Sequence, residues 1–370
     1  MVLREIHHIL ESWTPKAIAW ERDNVGLQIG SMDQTIRRIL LTLDVTDAVL
    51  DEARKKRIDL IISHHPLLFH PLASIDPGNR TGRLALKAIQ NRTSVYAMHT
   101  NLDFAYSGVS FALAETLGLQ ETRFLEHDQH REKKIVVFVP SDDTERVMTA
   151  MADAGAGRIG RYEACSFQIN GTGTFRPLEG AMPFVGTAGQ LERVDEIRLE
   201  MVAPDWKIDA VIRAMRSAHP YEEVAYEVYD LSTTSMNVGV GAIGVLPKAE
   251  SLKKFLARVE RSLRIPTLRY AGNTTMSVTR VAVCGGSGSQ YIAAAVREGA
   301  DAFVTSDIRY HSFQDADGRI ALIDAGHYET EWPALRRVAD FLNSNSTIRK
   351  NKVRVYSSTV NCNFVQYYQP

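Results

Sequence analysis

Cysteine is scarce in this chain of 370 residues: Cys165, Cys284 and Cys362 are odd in number and far apart. That set excludes a disulfide framework and offers no zinc-ribbon or iron–sulfur spacing, so the expected compartment is reducing, the cytoplasm. Long apolar runs are missing as well. No segment approaches the roughly 20 apolar residues that cross a bilayer. Met1 to Trp13 sets Ile6, Ile9, Leu10 and Trp13 at helical intervals, unlike the unbroken apolar stretch of a secretory signal, so no membrane partner is expected. Nor does charge of one sign dominate, since 43 Lys and Arg stand against 44 Asp and Glu. The basic stretch Arg54 to Arg57 is short and ends a predicted helix, where the helix dipole accounts for it. Nucleic acid is therefore not an expected partner.

What the chain does have is histidine at strand ends. Asp59-Leu60-Ile61-Ile62-Ser63 leads into His64-His65-Pro66, and Thr93-Ser94-Val95-Tyr96-Ala97-Met98 leads into His99-Thr100-Asn101-Leu102-Asp103. Ile320 to Ile323 leads through Asp324-Ala325-Gly326 to His327, with Glu331 four residues further on the same face of a predicted helix. Each cluster alone has a bland reading, a satisfied loop or a solvated helix face. Three clusters after three apolar runs favour a metal centre. His64, His65, Asp103, His327 and Glu331 make five candidate ligands, more than the three protein ligands of a single catalytic zinc, and suit two ions with one bridging carboxylate.

Two stretches of the chain alternate strand and helix, which implies parallel βαβ units. The first runs through strands Arg38 to Leu43, Leu60 to Ser63 and Ser94 to Met98, with helices Thr46 to Arg57 and Leu84 to Gln90 between them. The second has strands Val278 to Cys284, Ala302 to Thr305 and Ile320 to Asp324, with helices Tyr291 to Glu298 and Trp332 to Asn343. Because the candidate ligands come from both, the two blocks are expected to meet. Between them, Lys134 to Tyr229 reads strand, helix, strand, strand, helix, strand, a ferredoxin-like order. A composition shift over Leu231 to Ser235 marks the return to the core.

These motifs carry a resemblance. Asp23 to Gly30, Ser63 to Leu67, His99 to Asp103, Thr305 to Ile308 with His311, and Gly326 to Glu331 resemble the GTP cyclohydrolase 1 type 2 homologues, or Ngg-interacting-factor-three-like family. The likeness runs in order over both ends of the chain. It departs at Trp20, which stands further from Asp23 than in similar proteins. The resemblance implies an α/β fold: a three-layer core with mostly parallel sheets, formed by 1–126 and 234–370, interrupted by a PII-like α+β insert at 127–233. Gly171 to Phe175 and His219 to Glu223 are elements of that insert. It also implies a dinuclear centre on His64, His65, Asp103, His327 and Glu331, the last contacting both ions, and a homohexameric ring.

Two bound ions roughly 3.5–4 Å apart share a water and lower its pKa, so hydrolysis is the expected chemistry. Glu331 and His99 are the candidate catalytic groups, and His99, Asn101, Asp307 and His311 are candidates for orienting ligands or moving protons. A nitrogen and oxygen donor set without thiolate admits zinc foremost, and manganese, iron, cobalt or nickel. The expected partner is a small, phosphorylated or nucleotide-like substrate, with a non-enzymatic metal-binding or regulatory protein as the alternative. Two further motifs carry weaker readings. Cys284 to Ser289, glycine-rich, suits an anion, and His219 with Glu222 and Glu223 suits a second metal less well than a simple turn at Pro220.

Overall fold

A computed structural model describes residues 1–127, 131–160, 162–234 and 238–368. The chain divides into two compact units, Met1–His127 with Asn237–Pro370, and Asp128–Met236. No helix among the described residues is long and apolar enough to cross a membrane.

The first unit holds two sheets. One is ordered Gly26–Ile29, Ser94–Ala97, Leu60–Ser63, Arg38–Thr42, Arg354–Ser357. Its last four strands run parallel, and Gly26–Ile29 joins the edge antiparallel. Leu60–Ser63 and Ser94–Ala97 are buried at every position, as strands covered on both faces must be. The crossover helix Asp47–Lys56 begins where the Thr46 hydroxyl accepts from the Val49 N–H and ends at Arg57, whose φ of 53° breaks the helical path.

The second sheet is ordered Arg269–Ala271, Ala321–Asp324, Ala302–Ser306, Ser277–Ser287, Gly239–Ser251, Gln120–His127. The three strands expected here keep their parallel alternation, and three further strands join them. Ala321–Asp324, Ala302–Ser306 and Ser277–Ser287 are parallel, while Arg269–Ala271, Gly239–Ser251 and Gln120–His127 enter antiparallel. Gly239–Ser251 gives a weak strand signal because three glycines interrupt its apolar run, yet it lies between two partners. His127, expected to open the connecting segment, instead ends a strand and pairs with Gly239. Ser235, part of the expected return to the core, lies outside the described residues.

A long helix packs against both sheets. His327–Ser344 follows Ala321–Asp324 of the second sheet, and its Ala334, Val338 and Leu342 pack among Leu41, Ile62 and Leu102 of the first block. Each large apolar side chain buried there contributes roughly 1.5–3 kcal/mol. That packing fixes where the first turn of the helix points.

The unit Asp128–Met236 has one antiparallel sheet, ordered Phe167–Phe175, Glu192–Pro204, Arg131–Pro140, Tyr226–Thr234. Helices Thr144–Asp153 and Ile208–Ala218 cover one face, burying Val147, Met151, Val211 and Met215 against Ile135, Val137, Leu199 and Met201.

Candidate metal centre

Parallel strands end at one edge, and that edge is where the polar residues collect. Asp44 follows Arg38–Thr42, His64 and His65 follow Leu60–Ser63, and His99 follows Ser94–Ala97. From the second sheet, Asp307 follows Ala302–Ser306, and His327 opens the helix after Ala321–Asp324. Glu331 stands one helical turn beyond His327.

Four imidazoles and one carboxylate converge there. The rings of His64 and His65, His64 and His99, His65 and His99, and His65 and His327 have centroids 5.0, 5.3, 5.6 and 5.4 Å apart. Glu331 lies in their midst. Its Oε1 is 3.0 Å from His327 Nε2 and 3.6 Å from His64 Nε2, and its Oε2 is 3.1 Å from His65 Nε2. Asp103 Oδ1 is 3.8 Å from His64 Nε2.

Every ring turns its other nitrogen to a fixed oxygen. His64 Nδ1–H donates to the Met98 carbonyl at 2.8 Å. His65 Nδ1 faces Asp44 Oδ1 at 3.2 Å, His327 Nδ1 faces Asp307 Oδ2 at 2.6 Å, and His99 Nδ1 faces Asp23 at 2.9 Å. Asp23 also accepts from the backbone and hydroxyl of Thr100. Such partners hold each ring in one orientation, with Nε2 toward the centre.

The electrostatics have one dominant feature, a carboxylate among imidazoles. Burial works to neutralise Glu331, but His64, His327 and His65 together hold its carboxyl well below the ordinary range. Burial likewise pulls His65 and His327 down, yet the carboxylates of Asp44 and Glu331 push His65 up to about 10, and those of Asp307 and Glu331 push His327 up to about 11. Burial raises Asp103. Asp23, despite its own burial, is brought down to about 2 by hydrogen bonds from His99 and Thr100.

A cation fits this arrangement. His64 Nε2, Asp103 Oδ1 and Glu331 Oε2 are buried and make no hydrogen bond, a condition that costs about 1–3 kcal/mol per group unless something is coordinated there. His64, His65 and His99 form one set, and His65, His327 and Glu331 another, with donor atoms within 4.8 Å of one another. Either set could hold a metal ion.

The structure thus brings His64, His65, His327 and Glu331 together, with Asp103 beside them. His99, expected as a catalytic or orienting group, stands in a ligand set itself. Asp307 does face the ring of a candidate ligand, His327. Two expected orienting residues do not: Asn101 is buried and donates to the Thr14 carbonyl at 2.7 Å, and His311 is exposed and 3.4 Å from Gln314. Asp44 was missed; its place two residues after a buried strand, level with His65, was the available signal.

At the expected anion cradle, Cys284 to Ser289, two N–H groups are engaged within the protein. The N–H groups of Gly285 and Gly286 are already spent on Ser110 Oγ and Thr330 Oγ1. Gly286 serves the centre differently. It has φ +63°, and a Cβ there would fall 2.4 Å from Glu331 Oε1, so only glycine lets the strand end pass this close. The second-metal reading of His219 fails. Its Nε2 donates to the Phe138 carbonyl and its Nδ1 accepts from the Tyr221 N–H, leaving no lone pair free.

Known proteins are similar to this chain in sequence and in fold. The family model described as Duf34/NIF3 (NGG1p interacting factor 3) matches residues 1–363. A GTP cyclohydrolase 1 type 2 homolog of Bacillus subtilis is 44% identical over 327 residues, 88% of this chain and 88% of that protein. A homolog of the same name from Staphylococcus aureus is 33% identical over 368 residues, 99% of this chain and 100% of that one. The crystal structure of a Bacillus cereus protein related to NIF3 superimposes with a TM-score of 0.86 at 40% identity, covering 100% of this chain and 99% of that one.

Proposed function

We propose, from the premise that this chain belongs to the Duf34/NIF3 family, that it is a dinuclear metal-binding protein and a metal-dependent hydrolase of a small phosphorylated or nucleotide-like substrate. The observation that carries this reading is a trio of buried atoms that make no hydrogen bond, His64 Nε2, Asp103 Oδ1 and Glu331 Oε2. His64, His65, Asp103, His327 and Glu331 would hold two divalent ions, zinc foremost, with manganese, iron, cobalt and nickel compatible with the same donors. Bound there, the ions supply Lewis acidity and an activated water.

The chain's own residues do the rest. Glu331, within reach of three imidazoles, offsets cationic charge at the middle of the site. His99, ionically backed by Asp23, is the group placed to hold or hand over a proton at Nε2. Asp44 and Asp307 keep the rings of His65 and His327 in register. By the family reading the protein assembles as a homohexamer in the cytoplasm, and light scattering that gives a monomer mass dismisses that assembly.

The test is turnover of a panel of phosphoesters and cyclic amides by wild-type, His65→Ala and Glu331→Ala proteins. Metal-dependent turnover lost in both variants supports the hydrolase. Absence of turnover with every metal favours the second reading, a non-enzymatic metal-binding or regulatory protein whose PII-like insert, 127–233, senses a ligand. In its favour, the unit Asp128–Met236 has a core and a cavity of its own.

A further inference from the structure

The two motifs that the metal centre leaves unused, Gly171 to Phe175 and His219 to Glu223, meet within the unit Asp128–Met236 at one cavity of about 410 Å³. We propose that this cavity binds a small organic cation, an amine or quaternary ammonium carried on an apolar body. The inference rests on neither reading of the metal centre, and no atom of that centre enters it.

Its walls are aromatic. Phe138, Phe175, Phe184 and Tyr221 line it, and the Tyr221 ring centroid lies 6.0 Å from that of Phe175 and 6.2 Å from that of Phe184. Ring faces carry negative quadrupole potential and attract cations, more strongly where water is excluded. Space of this size falls within the range of small-ligand sites.

Its floor is a carboxylate. Glu196 is only 8% exposed, and its Oε1 accepts from the Tyr221 hydroxyl at 3.0 Å. None of the described residues donates to its Oε2, and no lysine or arginine pairs with it. The carboxylate has no cationic partner, and an incoming ammonium group supplies one through a charge-assisted hydrogen bond.

The motifs exist to make this geometry. A Cβ at residue 173 would fall 2.0 Å from Glu196 Oε2, so Gly173 leaves the space that the carboxylate fills. His219, with both ring nitrogens hydrogen-bonded, is a fixed post: it holds the Tyr221 N–H and meets the Tyr221 ring edge-on, with centroids 5.0 Å apart. That also removes His219 as a metal ligand.

Charge decides against an anion. Glu222 and Glu223 join Glu196 in the lining, and one exposed guanidinium, Arg176, opposes three carboxylates.

Calorimetric titration of the full-length protein with phenethylamine, choline and phenylpropionate tests the proposal. Saturable binding of either cation, with none of phenylpropionate, is expected. Glu196→Gln should weaken it about tenfold or more, since a charge-assisted contact of about 1.4 kcal/mol or more is lost. Phe184→Ala, at an exposed ring that does not endanger folding, should weaken it several-fold and keeps the test sharp if Glu196→Gln does not fold. Equal or tighter binding of phenylpropionate, no binding of either cation, or unchanged affinity in a folded Glu196→Gln or Phe184→Ala protein overturns it.

Discussion

Asp44 Oδ1 stands 3.2 Å from Nδ1 of His65, on the far side of the ring from Glu331. A carboxylate there fixes the tautomer and aims the Nε2 lone pair at the centre. Replacing such a partner typically costs 10–100-fold in metal affinity. Asp44→Asn keeps the size and removes the charge, so zinc affinity measured by chelator competition should fall by about that factor. Unchanged affinity would mean that His65 needs no such support.

Removing metal should cost stability in wild-type protein and nothing in a variant without the central carboxylate. An ion that binds only the folded state adds about 2.7 kcal/mol when its free concentration is a hundredfold above Kd. Thermal melts of chelated and zinc-loaded protein should therefore differ for the wild type and coincide for Glu331→Gln. If the wild-type melts coincide as well, the orphaned atoms of His64, Asp103 and Glu331 have some other explanation.

Sequence reading succeeded where local pattern and tertiary place agree. Apolar runs ending in His64 or His99 could be read as buried parallel strands because every position of Leu60–Ser63 and Ser94–Ala97 faces protein. It failed where pairing is long-range. The antiparallel entry of Gly239–Ser251 depends on Gln120–His127 and Ser277–Ser287, each far off in the chain, and glycine hides its strand signal. Asp44 and Asp307 differ in the same way: Asp307 sat inside a recognisable motif, whereas Asp44 becomes informative only once two strands are aligned in register.

Gly286 offers a test of how tightly the centre is enclosed. Alanine there must adopt φ +63° and also displace the Glu331 carboxylate, whose Oε1 would lie 2.4 Å from the new Cβ. The backbone conflict alone should cost more than about 1 kcal/mol. Gly286→Ala should thus lower the metal-free melting temperature and, separately, weaken metal binding. A variant that loses stability but binds metal as before would show that Glu331 can shift without consequence.

Glu52 ties the end of the chain to the first crossover helix. Its Oε1 accepts from Lys56 Nζ at 2.6 Å and from the N–H and hydroxyl of Thr359 at 3.0 and 2.8 Å, and its Oε2 from the Ser358 hydroxyl at 2.5 Å. Burial opposes ionisation, but these donors bring its pKa from 4.5 down to about 2. A carboxylate depressed on folding stabilises above its unfolded pKa, and that stability is lost as pH falls through the folded value. Glu52→Gln should therefore cost about 1–3 kcal/mol near neutrality, the worth of hydrogen bonds to a charged group. Urea melts should show the gap between variant and wild type narrowing as pH drops from 4.5 towards 2. A gap independent of pH would assign the loss to a missing acceptor rather than to charge, because the amide copies the outline of the carboxylate but cannot accept from all of the same donors.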